Sequence, residues 1–272
     1  MASRIAKEQK AGRTPSTDIF IGSESHVSRI VKGKALETPN WQEFAPNIPA
    51  EAIAPGNVAV VIASRMPGVT YNTKLVPKSE VPRRLDDLLN SKWKGKIAST
   101  PYAASFDRAA MVVGDEKVTK FLKDLSRGNL AGLIRCGEDE RIISGEFNML
   151  ALTCGGGAVE GLKAKGAPLE HRVLDDIPLV SYFYLGVPKG SAHPNMAKLF
   201  TVFMTTKVAQ KYVWESEGYD MHMLQGTNMN QLVTGLRERG IQPRVFGVKE
   251  VLANQKTISS LRRKYQKILK GQ

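Results

Sequence analysis

Four short stretches of this 272-residue chain carry residue types suited to holding a small ligand: residues 22–25 (Gly-Ser-Glu-Ser), 103–105 (Ala-Ala-Ser), 135–136 (Arg-Cys) and 154–157 (Cys-Gly-Gly-Gly). Each follows a strand-like run. In open α/β sheets ligands bind beyond the carboxyl ends of strands, close to helix N-termini. Gly155, Gly156 and Gly157 let backbone amides approach a ligand without side-chain obstruction; the alternative is a plain flexible strand-to-helix turn. Around Ser23 and Ser25, first-turn amides point outward unpaired and favour an anion, unless Ser23 and Glu24 simply cap the helix. The Arg135 guanidinium can hold a carboxylate or phosphate through two parallel hydrogen bonds; its rival role is a salt bridge to Glu138 or Asp139. The glycine run is not a dinucleotide fingerprint, because Glu160 stands where the third glycine of GxGxxG belongs.

Catalytic and metal chemistry find little support. His26, His171, His193 and His222 are scattered, no GxSxG or HExxH occurs, and Cys154 has no partner base in sequence. The reading is a binding protein without catalytic residues or cofactor. Cys136 and Cys154 show no CxxC or Cys/His spacing. Free thiols are favoured over a disulfide, yet both cysteines neighbour proposed ligand segments and are expected to lie close together.

The elements that must position these stretches alternate. A helix over residues 3–11 ends at Gly12, a strand over 17–21 leads to a helix ending near Gly33, and a Pro-rich loop over 37–56 uses Trp41 and Phe44 as packing anchors. Residues 57–63 form a continuous Val/Ile-rich run, as expected of a strand buried on both faces. Beyond it come an extended segment ending at Tyr71, a short helix over 83–89 and a strand over 96–98. Val118, Phe121, Leu122 and Leu125 mark a helix after Asp115 at i, i+3, i+4 and i+7. Strands are expected near 133–135, 147–153 and 181–187. Pro194 opens a helix with Met196, Leu199, Phe200 and Phe203 inward. The alternation points to an α/β fold with mostly parallel sheets covered by helices.

The net charge is +13, and residues 231–272 hold ten Lys or Arg against two Glu. Ile258, Leu261, Tyr265, Ile268 and Leu269 share one helical face there, so the basic residues read as its solvated side rather than a nucleic-acid site. No apolar run reaches the roughly 18 residues needed to span a bilayer. The polar start MASRIAKEQKAG is not a secretory signal.

The run YNTKLVPKSEVPRRLDDLLNSKWKGKIA (71–98), together with AKEQKAGRTPSTDIFIGSES and GVPKGSAHPNMAKLFTVFMTTKVAQKYVWESEGY, resembles the bacterial solute-binding proteins of ABC importers, in the iron-type branch of the two-lobed (type 2) periplasmic fold. The likeness covers about residues 5–220. It implies two lobes joined by hinge strands, each a mixed, mostly parallel sheet flanked by helices. Residues 1–65 and 179–272 would form the first lobe, and residues 66–178 the second. The chain would enter the first lobe after its opening units, so it is expected to be N-terminally incomplete, less stable and prone to aggregate. The resemblance further implies a periplasmic monomer that delivers its solute to a membrane permease. In the family, the turn matching Ala103, Ala104 and Ser105 presents amides and a hydroxyl to an anion, and the position near Arg135 faces the cleft. The two tyrosines that hold ferric iron in the iron-binding members would fall at Gly155 and Gly156. Hard ferric iron needs anionic oxygen donors, so a small anionic solute is expected instead. Metal-complex binding through a bridging anion is the alternative; a hydrolase or a basic nucleic-acid module are the readings from other classes.

Overall fold

The computed structural model describes residues 2–103, 105–153 and 156–272. Its strands are β1 (Phe20–Ser23), β2 (Val60–Arg65), β3 (Gly68–Asn72), β4 (Ile97–Ser99), β5 (Leu130–Leu133), β6 (Met149–Ala151), β7 (Leu169–Val173), β8 (Leu179–Gly186) and β9 (Arg244–Val245). The chain divides into two compact units. One comprises Met1–Arg65, Val180–Arg239 and Val245–Ala253; the other comprises Met66–Leu179, Gly240–Arg244 and Asn254–Gln272.

In the first unit the apolar β8 is the central strand, with β1 and β2 antiparallel to it on either side and β9 also pairing with it. The 57–63 run becomes β2, buried along nearly its whole length. Trp41 is fully buried and its indole N–H donates to Asn57 O at 2.8 Å. Phe44, the other expected anchor, is instead exposed. The helix Pro194–Phe203 also departs from expectation. It buries Ala197 and Thr201, while Met196, Leu199, Phe200 and Phe203 face outward.

The second unit has the strand order β5-β4-β6-β3-β7. β4 is parallel to both β5 and β6, whereas β3 is antiparallel to β6 and β7. The α/β class and the two flanked sheets hold, but the mostly parallel expectation is corrected: the first unit's pairs with β8 through β1 and β2 are antiparallel, and the second sheet is parallel only across β5-β4-β6. Helix-strand alternation misled because residues 73–96, which carry no α-helix, lead from β3 into the oppositely directed β4, whereas the β6-to-β7 connection through the helix Gly157–Ala164 keeps the direction. The segment expected as a helix over 83–89 is a 3-10 turn at Leu85–Leu89. There the Asp87 carboxylate accepts from the amides of Arg83 and Arg84 at 2.8 and 2.9 Å, and Asp176 accepts from Leu85 N. Leu85, Leu88 and Trp93 enter the core with Phe106, Phe121 and Ile97.

The C-terminal helix Gln255–Leu269 buries Ile258, Leu261, Tyr265 and Leu269. Its partners are the helices Phe106–Val113 and Asp115–Asp124 of the second unit, so residues 254–272 are corrected from the first unit to the second. Polar contacts fix the register. The Tyr265 hydroxyl donates to Asp115 Oδ1 at 2.7 Å, Lys264 reaches the same carboxylate at 2.9 Å, and the Arg262 guanidinium donates to the fully buried Asp107 at 2.6 Å. Those bonds, Lys264 foremost, hold the Asp115 carboxyl below its ordinary pKa. Truncating so large a buried ring costs about 3–5 kcal/mol. Tyr265→Ala should lose that much in urea unfolding; a loss below about 1 kcal/mol would show the helix to be peripheral.

Candidate ligand-binding site

Because β5, β4 and β6 run parallel, the segments that follow them leave one edge of the second unit's sheet side by side. Hydrogen bonds stitch these segments together. Ile134 N donates to Ser99 O at 2.9 Å, Ser99 Oγ to Ala151 O at 3.3 Å, and Ser105 Oγ to Thr153 O at 3.2 Å. Three of the four sequence-derived stretches therefore meet at one edge. Ala103 is buried at φ 53°, Ser105 is half-buried before the helix Phe106–Val113, and Gly156 and Gly157 open the helix Gly157–Ala164. Ala104, Cys154 and Gly155 lie outside the described residues. Ser23 and Ser25 belong to the first unit.

The backbone at this edge is held against its preference. Ala103 and Leu152 (φ 46°) both adopt the left-handed region, at a cost on the order of 1–3 kcal/mol each that persists only where the surroundings enforce it. In the first turns of the helices that follow, Asp107 N donates back to Ala103 O and Val159 N to Gly156 O, each at 3.1 Å, while the amides that open such a turn have no intrahelical acceptor. Arg135 is exposed, and its backbone N–H donates to Glu138 Oε2 at 3.0 Å. Its guanidinium forms no ion pair among the described residues, and Glu138 instead faces Arg141 at 3.9 Å. The rival role, a salt bridge to Glu138 or Asp139, is thus not made. Cys136 is disulfide-bonded, which corrects the favoured free thiols. In the first unit, Ser23 Oγ and His26 Nδ1 share a hydrogen bond of 2.9 Å, and Ser23 does not cap the helix Glu24–Lys32 through its side chain.

His171 on β7 is the residue that sequence reasoning missed. A Cβ at Gly156 would sit 2.3 Å from His171 Cγ, and one at Gly68 would sit 3.0 Å from its Cε1 and 2.1 Å from Arg172 O. The imidazole is thus flanked by two positions open only to glycine, and Gly156 needs glycine for its φ of 74° as well. His171 Nε2 donates to Met66 O at 3.0 Å and Nδ1 accepts from Thr70 Oγ1 at 3.2 Å. Burial lowers its pKa to about 4, so the ring is neutral and this tautomer is fixed. Among the described residues no group of three or more His, Cys, Asp or Glu could hold a metal. A separate cavity of about 690 Å³ lies within the first unit, lined by Tyr182, Tyr184 and His222 among others. His222 stacks on Tyr182, bonds Ser64 Oγ through Nδ1 at 2.8 Å, and is likewise lowered to about 4 by burial.

Two outcomes follow. Gly156→Ala should destabilise by about 2–4 kcal/mol through backbone strain and collision. Combined with His171→Ala it should fall short of additivity by at least about 1 kcal/mol in denaturant unfolding; simple additivity would mean the two do not touch. The second outcome concerns pH. An unfolded chain takes up protons on both histidines near the ordinary value of 6.5, while the folded chain does so only near 4. Stability is therefore full above pH 6.5 and declines as pH falls towards 4, by about 3 kcal/mol per histidine. A melting temperature that is flat across this window would contradict the assignment.

The model of the bacterial extracellular solute-binding protein family matches residues 1–220. Among solved structures, iron-bound HitA from Pseudomonas aeruginosa is 21% identical, with a TM-score of 0.74 over 97% of this chain and 86% of that one. The substrate-binding protein of an ABC transporter from Agrobacterium tumefaciens is 15% identical, with a TM-score of 0.80 over 98% and 82%. AgtB from A. tumefaciens, in complex with agropinic acid, is 15% identical, with a TM-score of 0.71 over 97% and 86%. None of the curated proteins matches the chain. These neighbours carry the type 2 periplasmic-binding fold, and among the described residues no helix is long and apolar enough to cross a membrane. With four-fifths of its length matched, the chain belongs to the bacterial extracellular solute-binding protein family.

Proposed function

We propose that this protein is the solute-capturing component of an ABC importer, that it works in the periplasm beside a membrane permease, and that its solute is a small organic anion bound without turnover. In this reading the two units are the two lobes, which close on the solute by a hinge, and Ser23, Ser25, Ala103, Ala104, Ser105, Arg135, Gly155, Gly156 and Gly157 line the site. One observation carries the choice of ligand: the His171 ring fills the space that a side chain at position 156 would need. That position therefore offers an amide and no phenolate. The Arg135 guanidinium completes with it a set that suits carboxylate oxygens and lacks the anionic oxygens that ferric iron demands; the Ser105 hydroxyl joins that set only by giving up its bond to Thr153 O. AgtB, whose structure contains agropinic acid, supports the organic-acid reading; HitA, bound to iron, stands for the alternative.

A thermal-shift screen against organic acids, phosphonates and ferric citrate tests this. At least one organic acid should raise the melting temperature, and ferric titration should produce no visible charge-transfer band. Arg135→Gln should weaken the acid roughly 10- to 100-fold, the equivalent of about 1.5–3 kcal/mol for a charge-assisted hydrogen bond. Because Arg135 is exposed, folding should be unaffected. A charge-transfer band that survives citrate competition would overturn the reading.

A further inference from the structure

Ala103 sits at φ 53° with its side chain fully buried, and such a conformation persists only where the surroundings enforce it. The chain on either side of it is held by one element, the C-terminal helix Gln255–Leu269. Just before Ala103, Tyr102 O accepts from Gln266 Nε2 at 3.2 Å. Just after it, Asp107 Oδ2 accepts from Arg262 Nε at 2.6 Å, and Asp107 N in turn donates to Ala103 O at 3.1 Å. Arg262 and Gln266 stand four positions apart, so they share one side of the helix and reach the turn together.

The hold is firm because the helix is fixed independently of it. Ile258, Leu261, Tyr265 and Leu269 are buried, and Tyr265 and Lys264 both bond the Asp115 carboxylate. That apolar face already binds the helix to the unit; Arg262 and Gln266, both partly exposed, add a grip on residues 102–107. The two bonds differ in strength. Asp107 is fully buried, so its bond from Arg262 is charge-assisted and shielded from water, whereas the neutral bond from Gln266 is a modest one. Ser105, two residues past Ala103, links the same turn to Thr153 O through its hydroxyl. A shift at residue 103 therefore reaches the segment that follows β6 as well.

We infer that Arg262 and Gln266 are positioning residues for the solute: the C-terminal helix clasps the turn at Ala103 and Ser105 in the conformation that receives the anion, which rests on that turn being part of the site proposed above. Affinity then depends on two residues beyond the stretch that the family model matches. By linkage, solute bound at the turn should in return tighten the helix.

Amide hydrogen exchange in the solute-free protein tests the clasp whatever the ligand is. Gln266→Met keeps the side chain's length and the net charge but removes the donor, and its melting temperature should stay close to that of the parent. The Asp107 amide should then exchange roughly 2- to 10-fold faster, as expected for the loss of one neutral hydrogen bond, while the amides of β3 exchange as before. Titrated with whichever of succinate, citrate and agropinic acid most raises the melting temperature, the same variant should bind roughly 2- to 10-fold more weakly. Arg262→Gln combined with Asp107→Asn removes the ion pair at unchanged net charge and should act in the same direction, more strongly. Unchanged exchange at Asp107 in Gln266→Met overturns the inference, and so does faster exchange with unchanged affinity. Arg135→Gln separates two kinds of failure. If it weakens the acid while Gln266→Met does not, the clasp alone is wrong; if neither does, the site itself is wrong and the clasp falls with it.

Discussion

The contact between Gly156 and the His171 ring constrains the rest of the site. A β-carbon at residue 156 and the imidazole need the same volume, and the imidazole cannot yield, because Met66 O and Thr70 Oγ1 hold its two nitrogens. The turn after β6 can therefore contribute main-chain groups but not a side chain at that point. The same ring closes over Gly68, so the antiparallel β3-β7 pair and the turn at Gly156 share one fixed element. Its burial keeps it neutral, which leaves the turn's geometry insensitive to pH until the fold itself weakens.

Around that contact, the parallel trio β5-β4-β6 does the positioning. Three segments distant in sequence emerge at one edge because the chain crosses in the same direction three times, and the cross-bonds from Ile134 to Ser99 and from Ser105 to Thr153 hold them there. The C-terminal helix steadies the same unit from behind. Its Tyr265 and Arg262 are anchored on Asp115 and Asp107, residues belonging to the two helices that follow β4.

Much of this was legible in the sequence where a local pattern fixes the answer. The Val/Ile run that became β2, the i, i+3, i+4, i+7 face after Asp115 and the amphipathic tail each carry their structural role in their own spacing. Ala103, Ser105, Arg135, Gly156 and Gly157 could be nominated because small residues and one arginine follow strand-like runs. What stayed hidden depends on partners distant in sequence. Nothing in LEHRV marks His171 as the filler beneath a glycine 15 positions earlier. Strand direction is not encoded in a hydrophobic run, so antiparallel pairs were read as parallel. The spacing of Met196, Leu199, Phe200 and Phe203 is that of a buried face, yet the helix packs by the small residues Ala197 and Thr201, and periodicity does not tell which of two helix faces meets the unit. The unit to which the tail belongs was also invisible, since its apolar face would suit either one.

The claim that a main-chain turn, rather than metal-ligating side chains, receives the solute is tested most directly by the backbone amide resonances of Ser105, Gly156 and Gly157 during titration with an organic acid that stabilises the protein. Saturable shifts at these three amides, larger than those elsewhere in the second unit, are predicted. Saturable binding that leaves all three unmoved would contradict the account.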